Sequence, residues 1–320
     1  MDKIDIGVIG TGHLGRFHTK ILSGLPSANL VGIYDIDRNR ARSVAEEFST
    51  NEIFDLDELF AKCSAVVIAS TTSTHKDLAV KAVKGDCHVL VEKPIADTSI
   101  DGRIMVDTAE KAGKTLMVGH VEHFNPAFEA ARMLIDNPMF VESHRLTIFR
   151  GRGADVSVVH DLLIHDLELL LAVLDLEPTK LSASGSSILT KSPDIANVRL
   201  EFPNGCVANL TASRISLKNM RKMRFFQKGA YIGVDFGGKV EVATLNNEGP
   251  QPSKNAERFD LPGGETILRW NAEVKVGNAL QIELDHFIEC IKNNKEPLVS
   301  GRRGLQSLEL ADRIIAEIES

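Results

Sequence analysis

The sequence predicts a two-domain α/β protein. It has a doubly wound parallel sheet over residues 1–120, followed by an α+β domain with a mostly antiparallel sheet over residues 121–320. Two observations predict this fold class. Short apolar runs alternate with helical segments through the first domain, and strands separated by crossover helices pair in parallel. Several strand-like runs then follow one another without a helix between them, which indicates antiparallel pairing.

Composition indicates a soluble globular protein, because 43% of the 320 residues are hydrophobic and 25% are charged. A net charge of -7 and a pI near 5.8 argue against affinity for nucleic acid or an anionic membrane, so we expect a small-molecule partner. No secretory signal or membrane-spanning run stands out, which predicts a cytoplasmic protein. The four cysteines are scattered without a CxxC pair, so we expect reduced thiols and no metal.

The first domain alternates five strand-like runs with four helical segments. Apolar runs predict strands at Ile4–Ile9, Leu30–Tyr34, Ala65–Ala69, His88–Val91 and Thr115–Val118. Apolar residues at helical spacing predict helices at 14–24, Arg38–Phe48, Lys76–Val83 and Ile100–Ala112. The ligand of such a sheet binds at the carboxyl ends of its strands.

A glycine-rich turn follows the first strand. The first glycine of a GxGxxG turn permits tight turning, the second lets the backbone approach a pyrophosphate, and the third allows close helix packing. Asp35 ends the second strand about 20 residues after the motif, where a dinucleotide-binding unit places a carboxylate for the ribose. A glycine turn without a nucleotide is the alternative. The predicted cofactor contacts here are Gly10, Gly12, His13, Leu14, Gly15 and Asp35.

The acid at the end of the second strand favours NAD over NADP. The carboxylate of Asp35 would repel a 2′-phosphate, although the nearby Arg38 weakens that preference.

The remaining strand ends supply further polar residues. We expect Ser70, Thr71, His75, Glu92 and Lys93 to line the cofactor site. Lys93 lies in a Glu-Lys-Pro turn, whose backbone the proline makes rigid. A lysine amine held in this way could stabilise a developing alkoxide or exchange a proton. An ordinary surface lysine is the alternative.

In combination, "GTGHLG", "STTSTH" and "VEKPIA" resemble the Gfo/Idh/MocA family over essentially the whole chain. The resemblance implies an N-terminal Rossmann domain and a C-terminal α+β domain with an open, mostly antiparallel sheet. It also implies oxidation or reduction of a sugar or polyol carbon with NAD(P), without a metal.

The resemblance assigns an Asp-x-x-x-His helix to the start of the second domain, which here matches Asp161 and His165. Residues four apart share a helix face, and histidine has a pKa suited to accepting a hydroxyl proton. The alternative is an amphipathic helix with both side chains in solvent. His160 is expected to be structural and Asp166 to be a weaker candidate, because it points about 100° away.

A turn before that helix, "VEHFNP", lies near the nicotinamide in relatives. His123 and Asn125 are therefore candidate substrate and cofactor contacts, respectively. For His123, packing or hydrogen bonding at a helix start is the alternative.

Further elements of the second domain follow from local signals. We predict a helix from Ala127, a strand over 139–149 and a basic loop containing Arg150 and Arg152. Asn204-Gly205 predicts one hairpin and Lys228-Gly229 a second, and two amphipathic helices end the chain.

Six basic residues and no acidic residue lie between positions 214 and 228. They suggest an anion site for a diphosphate-bearing substrate, with Arg150, Arg152, Arg214 and Arg221 as contacts; a solvated or subunit-facing hairpin is the alternative. The stretches "GHVEHFNPAFEAAR" and "VVHDLLIHDLELLL" resemble the subgroup that includes UDP-N-acetylglucosamine 3-dehydrogenases. That resemblance implies a nucleotide-sugar substrate.

Two other functions stay open at this point. One is a free sugar or inositol dehydrogenase, and the other is a non-catalytic NAD-sensing regulator. Because one face of the second sheet is free for a partner subunit, we expect a homodimer or homotetramer.

Overall fold

The computed structural model describes residues 3–149, 156–246, 248–252 and 255–320. The chain forms two compact units: Met1–Val121 with Ala279–Leu308, and Glu122–Asn278 with Glu309–Ser320. The chain therefore returns to the first unit at Ala279, after most of the second unit has formed. The predicted division into residues 1–120 and 121–320 does not include this return.

Within the described residues, the strands in chain order are β1 (Ile4–Ile9), β2 (Ala28–Tyr34), β3 (Ala65–Ile68), β4 (His88–Glu92), β5 (Leu116–Gly119), β6 (Phe140–Leu146), β7 (Lys180–Ser186), β8 (Ile195–Glu201), β9 (Val207–Ser213), β10 (Met220–Gln227), β11 (Ala230–Asp235), β12 (Lys239–Leu245), β13 (Glu257–Asp260) and β14 (Thr266–Asn271). The α-helices of the same residues are α1 (His13–Gly24), α2 (Arg38–Phe48), α3 (Leu56–Lys62), α4 (His75–Lys84), α5 (Ser99–Lys111), α6 (Pro126–Arg132), α7 (Ile164–Leu174), α8 (Ala279–Asn293) and α9 (Gly301–Glu319).

The first unit contains a parallel sheet with the order β2-β1-β3-β4-β5 among its described strands. Each predicted strand of this unit forms, and all four residues of β3 are buried. The sheet is doubly wound, because the chain moves outward from β1 in one direction to β2 and in the other to β3, β4 and β5. The fold class is confirmed, and the reversal between β1 and β3 is where such sheets bind ligands.

One short helix of the first unit was not predicted. Helix α3 has seven residues, and the Asp55 side chain caps it by accepting hydrogen bonds from the backbone N–H groups of Asp57 and Glu58. Two turns of helix carry too few apolar positions to establish a period, so only the cap could have indicated it.

The second unit contains a sheet of nine described strands in the order β13-β14-β12-β11-β10-β6-β9-β8-β7. Among these strands, β6 and β9 pair in parallel and every other neighbouring pair is antiparallel. Both predicted hairpins form, with Gly205 and Gly229 at positive φ. Strands β7, β12, β13 and β14 were not predicted.

One face of this sheet is apolar and the other is mostly polar. In β10, for example, Met223 and Phe225 are buried, whereas Lys222 and Arg224 alternate with them and stay partly exposed. Helix α6 lies against β11 and β12 on the apolar side. The alternation is that of a sheet covered on one face.

The segment before α7 differs from the prediction. The sequence predicts one α-helix through Asp161 and His165, but Val159–Leu163 forms a π-helical turn and the α-helix begins at Ile164. Turns of this kind are rare and occur frequently at functional sites.

None of the helices in the described part of the chain is long and apolar enough to cross a membrane.

Candidate active site

The glycine turn of the first unit has the geometry that its spacing predicts. Gly10 has a φ of +87°, and a methyl group there would lie 2.7 Å from the backbone nitrogen of Ser70. A methyl group at Gly15 would lie 1.8 Å from the carbonyl oxygen of Gly10, so α1 can approach the turn only without a side chain. At Gly12 the nearest described atom would be an Arg40 nitrogen at 3.9 Å, which leaves room for a ligand's phosphates.

Asp35 holds the turn as well as facing the cleft. Its Oδ2 accepts hydrogen bonds from the N–H of Thr11 at 2.7 Å and from the Thr11 hydroxyl at 2.9 Å. Its Oδ1 accepts one from the N–H of Asp37 at 2.8 Å. A carboxylate offers about four acceptor positions, so this arrangement leaves capacity for a ribose hydroxyl.

A cleft of about 610 Å³ lies at the carboxyl ends of β1, β2 and β3. Helix α1 begins beside it with no side-chain cap among the described residues, and His13 and Leu14 in its first turn are exposed. Uncapped N–H groups at a helix start attract a pyrophosphate. The residues therefore fit a dinucleotide. The cleft is lined by Ile9, Gly10, Gly12, Tyr34, Asp35, Ile36, Arg40, Leu56, Ala69, Ser70, Thr71, Ser73, Thr74, Asp77 and Leu78.

The arginine beside the ribose position is Arg40 rather than Arg38. Arg38 donates to the backbone carbonyls of Ile53 and Phe54, and its guanidinium stacks on the rings of Tyr34 and Phe54. Arg40 lines the cleft, 3.9 Å from Oδ2 of Asp35. Arg40, and not Arg38, is therefore the arginine that weakens the preference for NAD over NADP.

The loop after β3 divides its predicted contacts into two groups. Ser70 and Thr71 line the cleft, and the Ser70 hydroxyl bonds that of Thr74 at 2.7 Å. His75 is buried instead, with its ring nitrogens near the carbonyl oxygens of Pro94 and Ser70, and burial lowers its pKa. His75 was predicted to contact the cofactor, but both of its nitrogens face protein atoms.

The Glu-Lys-Pro turn follows β4. Glu92 is buried, and its Oε1 lies 2.7 Å from Nε2 of His18 on α1. Lys93 is partly exposed, and its peptide bond to Pro94 is cis. Of the two predicted cofactor contacts here, only Lys93 has a side chain that reaches the surface of the unit.

In the second unit, the π-helical turn and α7 expose very little. Between Asp161 and Leu170 only Asp161, Leu162 and His165 are accessible, and the other residues of that stretch are buried. Helix α7 is buried on more sides than the alternative of an amphipathic surface helix predicts, but Asp161 and His165 are partly exposed, as that alternative also expects. The two side chains of the Asp-x-x-x-His pattern share its accessible stripe.

The turn containing His123 and Asn125 is tied to its own unit. Nδ1 of His123 lies 2.8 Å from Oε1 of Glu168, and both residues are buried. The Asn125 side chain caps α6 by accepting from the N–H of Ala127 and donates to the carbonyl of Phe236. Asn125 was predicted as a cofactor contact; its amide is used as a helix cap.

A buried charge network crosses the second unit, and the sequence analysis missed it. Arg145 on β6 donates to both oxygens of Asp166 at 2.7–3.1 Å and to Glu122 at 3.2 Å. Glu122 also accepts from Arg221 at 2.7 Å. Burial alone would lower the pKa of Arg145, but the charges of Asp166 and Glu122 raise it above its ordinary value. The available signal was an arginine at an inward position of β6, after Val141 and Ser143.

Arg214 differs from the predicted anion contact. It is buried, and its guanidinium donates to the carbonyl oxygens of Val156 and Pro193, with Asp194 at 3.7 Å. Burial would raise the pKa of Asp194, but backbone N–H groups from Leu189, Thr190 and Ile188 lower it to about 2.

Arg214 therefore bonds the segment that leads into the π-helical turn. A guanidinium that is buried, as that of Arg214 is, has no surface on which to bind a phosphate from solvent. Arg221 is about half exposed and keeps free guanidinium surface. Arg150 and Arg152 lie outside the described residues.

His160 bonds Asp312 at 2.9 Å, consistent with a structural role. Among the described residues, no group of three or more His, Cys, Asp or Glu side chains could hold a metal ion.

Known proteins match this chain over nearly its whole length. A family model described as an oxidoreductase family with an NAD-binding Rossmann fold matches residues 4–120, and a GFO/IDH/MocA C-terminal domain model matches residues 128–230. UDP-N-acetylglucosamine 3-dehydrogenase of Acidithiobacillus ferrooxidans is 31% identical over 98% of this chain and 97% of its own length. An NAD-dependent scyllo-inositol 2-dehydrogenase of Bacillus subtilis is 27% identical over 96% of this chain and 92% of its own.

A solved structure of the Acidithiobacillus ferrooxidans enzyme superposes with a TM-score of 0.91 at 30% identity. The match covers 100% of this chain and 98% of that one.

Proposed function

This chain belongs to the GFO/IDH/MocA family of NAD-dependent oxidoreductases, and we propose that it oxidises the C3 hydroxyl of UDP-N-acetylglucosamine to a ketone. The observation that carries the choice of substrate is the end-to-end similarity to UDP-N-acetylglucosamine 3-dehydrogenase, at 31% identity and with a TM-score of 0.91. Named relatives in this family are dehydrogenases of sugars or polyols. The family assignment alone therefore leaves the particular sugar open.

The proposed chemistry assigns a role to three side chains. Bound NAD supplies the hydride acceptor. His165 accepts the hydroxyl proton, because an imidazole is suited to proton exchange near neutral pH and this one is accessible in the first turn of α7. Asp161, four residues earlier on the accessible stripe, orients the imidazole or holds a neighbouring hydroxyl.

Lys93 hydrogen-bonds the reacting oxygen and stabilises the alkoxide character that develops as the hydroxyl proton moves to His165, before hydride transfer completes the carbonyl. Its position after β4, at the carboxyl edge that carries the cleft, supports this role. Charge stabilisation of this kind acts mainly on kcat, because the negative charge is greatest in the transition state.

Arg221 is the described arginine that supports binding of a diphosphate. It is about half exposed, and Glu122 occupies one of its nitrogens. A guanidinium has five N–H donors, so the remaining ones can bond phosphate oxygens. The neighbouring Lys218 is exposed and adds positive charge.

A substrate panel tests the proposal. Purified protein with NAD is offered UDP-N-acetylglucosamine, UDP-glucose, glucose and myo-inositol, and NADH formation is followed by absorbance. We expect turnover with UDP-N-acetylglucosamine and little with the free polyols. Turnover with myo-inositol alone would replace the substrate by that of the inositol dehydrogenases, which are 25–28% identical where they match 90% or more of this chain.

A further inference from the structure

The turn that carries Lys93 is fastened on its amino-terminal side by a buried histidine. His18 lies on α1 and is 0% exposed, and its Nε2 is 2.7 Å from Oε1 of Glu92, the residue before Lys93. Nδ1 of His18 has no partner among the described residues, so the bond to the carboxyl is made through Nε2. A methyl group at Gly119 would lie 3.2 Å from that carboxyl, so a glycine there leaves the space that Glu92 occupies.

A second buried histidine reaches the turn from the other side. His75 begins α4 and is 1% exposed. Its Nδ1 lies 3.1 Å from the carbonyl oxygen of Pro94, the residue after Lys93, and its Nε2 lies 3.2 Å from the carbonyl oxygen of Ser70. Because burial lowers the pKa of His75, the ring is neutral at working pH and donates to one carbonyl.

Both histidines are fully buried polar groups, which a fold accommodates only with hydrogen bonds. They come from different helices, yet each has a ring nitrogen within hydrogen-bond distance of an immediate neighbour of the same lysine. Stabilisation of the sheet would not require this convergence, since the opposite end of β4 is held by backbone pairing and by His88.

We propose that His18 and His75 are positioning residues that brace the Lys93 turn from both sides, His18 through Glu92 and His75 through the Pro94 carbonyl. The inference rests on the proposed role of Lys93 in stabilising the alkoxide. Displacing a catalytic group by about 1 Å can lower a rate about 100-fold. Loss of the bonds to the residues that flank Lys93 should therefore lower mainly kcat.

Substitution of each histidine by an amide residue can keep one of its hydrogen bonds and remove the other. The amide nitrogen of glutamine takes the place of Nε2 of histidine, and that of asparagine takes the place of Nδ1. His18→Gln retains the bond to Glu92, whereas His18→Leu removes it. His75→Asn retains the bond to Pro94, whereas His75→Gln retains only the contact with Ser70. His88→Gln is the matched control, because His88 accepts a hydrogen bond from the N–H of Thr115 at the far end of β4.

We expect His18→Leu and His75→Gln to lower kcat about 10- to 100-fold, with the Kd for NAD changed by about twofold or less. His18→Gln and His75→Asn should recover most of the activity. Thermal unfolding of every variant is measured in parallel. If kcat falls only in step with Tm, and His88→Gln behaves alike, the two histidines are structural and the proposal is wrong. Recovery by His75→Gln instead of His75→Asn would overturn the brace on Pro94.

A second readout does not need turnover. Lysines are dimethylated with ¹³C-formaldehyde, and the Lys93 signal is assigned by its loss in Lys93→Arg. We expect this signal to shift in His18→Leu and His75→Gln but not in His88→Gln. An unchanged Lys93 signal in both histidine variants would refute the brace, even if no sugar were oxidised by the wild-type protein. Absence of turnover by the wild type would refute the proposed function alone.

Discussion

At the scale of single residues, the proposed catalytic groups are a few accessible side chains in largely buried surroundings. Asp161 and His165 are, with Leu162, the accessible residues of a stretch that is otherwise buried, and Lys93 follows a buried glutamate. These are the positions where a side chain can meet a substrate without losing its support from the fold.

Lys93→Met and His165→Ala test the proposed roles. We expect each to lower kcat about 100-fold or more, because general acid–base catalysis and alkoxide stabilisation contribute at least this much. Binding of NAD, measured by fluorescence titration, should persist in both. Near wild-type kcat in both variants would contradict the assignment.

Substitutions of Arg214 and Arg221 distinguish a buried structural arginine from one that binds substrate. We expect Arg214→Met to lower the free energy of unfolding by about 3 kcal/mol, because it leaves the buried Asp194 without its cation. Arg221→Met should raise the KM for UDP-N-acetylglucosamine about 10-fold and leave its kcat nearly unchanged. Denaturant unfolding and steady-state kinetics measure the two effects. The reverse pattern would restore Arg214 as the phosphate contact.

At the scale of elements, the proposed catalytic residues and the cofactor site lie at two short turns, the π-helical turn and the glycine turn. The predicted α-helix at Asp161 begins instead as a π-helical turn. At its start the N–H of Val158 donates to the carbonyl of Pro193, and Arg214 donates to the carbonyl of Val156. Local periodicity cannot distinguish the two helix types, because residues four apart share a face in both.

Two glycines of α1 provide a matched pair at this scale. Gly15→Ala would put a methyl group 1.8 Å from the carbonyl of Gly10, whereas Gly24→Ala meets no described atom within 4 Å. We expect Gly15→Ala to weaken NAD binding more than 10-fold, because the helix start must move away from the phosphates. Gly24→Ala should bind NAD normally. Isothermal titration compares them, and equal affinities would show that the close approach is not needed.

At the scale of the whole molecule, the two units divide the work of the chain. The first carries the dinucleotide cleft and the second carries the Asp-x-x-x-His stripe and a large sheet. The exposed face of that sheet includes an aromatic row, in which Phe226 lies 5.9 Å from Phe140 and 5.3 Å from Tyr231 between ring centroids.

We expect this face to pair with a second copy of the chain, as proposed from the sequence. Light scattering after size exclusion should give a homodimer or homotetramer. Phe226→Asp should lower the measured mass, because it puts a charge into the aromatic row. Met133→Asp, an exposed change at the end of α6, is the control. A monomeric wild-type protein would contradict this expectation.

The sequence by itself determined the fold class, the strand ends, the glycine turn and the family, because apolar period and motif spacing are local properties of the chain. It also identified Lys93, Asp161 and His165 as candidates. Only the tertiary structure decided which polar residues have partners: Arg145 with Asp166, His18 with Glu92, and Arg214 with backbone carbonyls. The partners of His18 and Arg145 are separated from them by 74 and 21 residues. Burial of a charge depends on such distant contacts, so a residue that appears solvent-exposed in the sequence can be a structural ion pair in the fold.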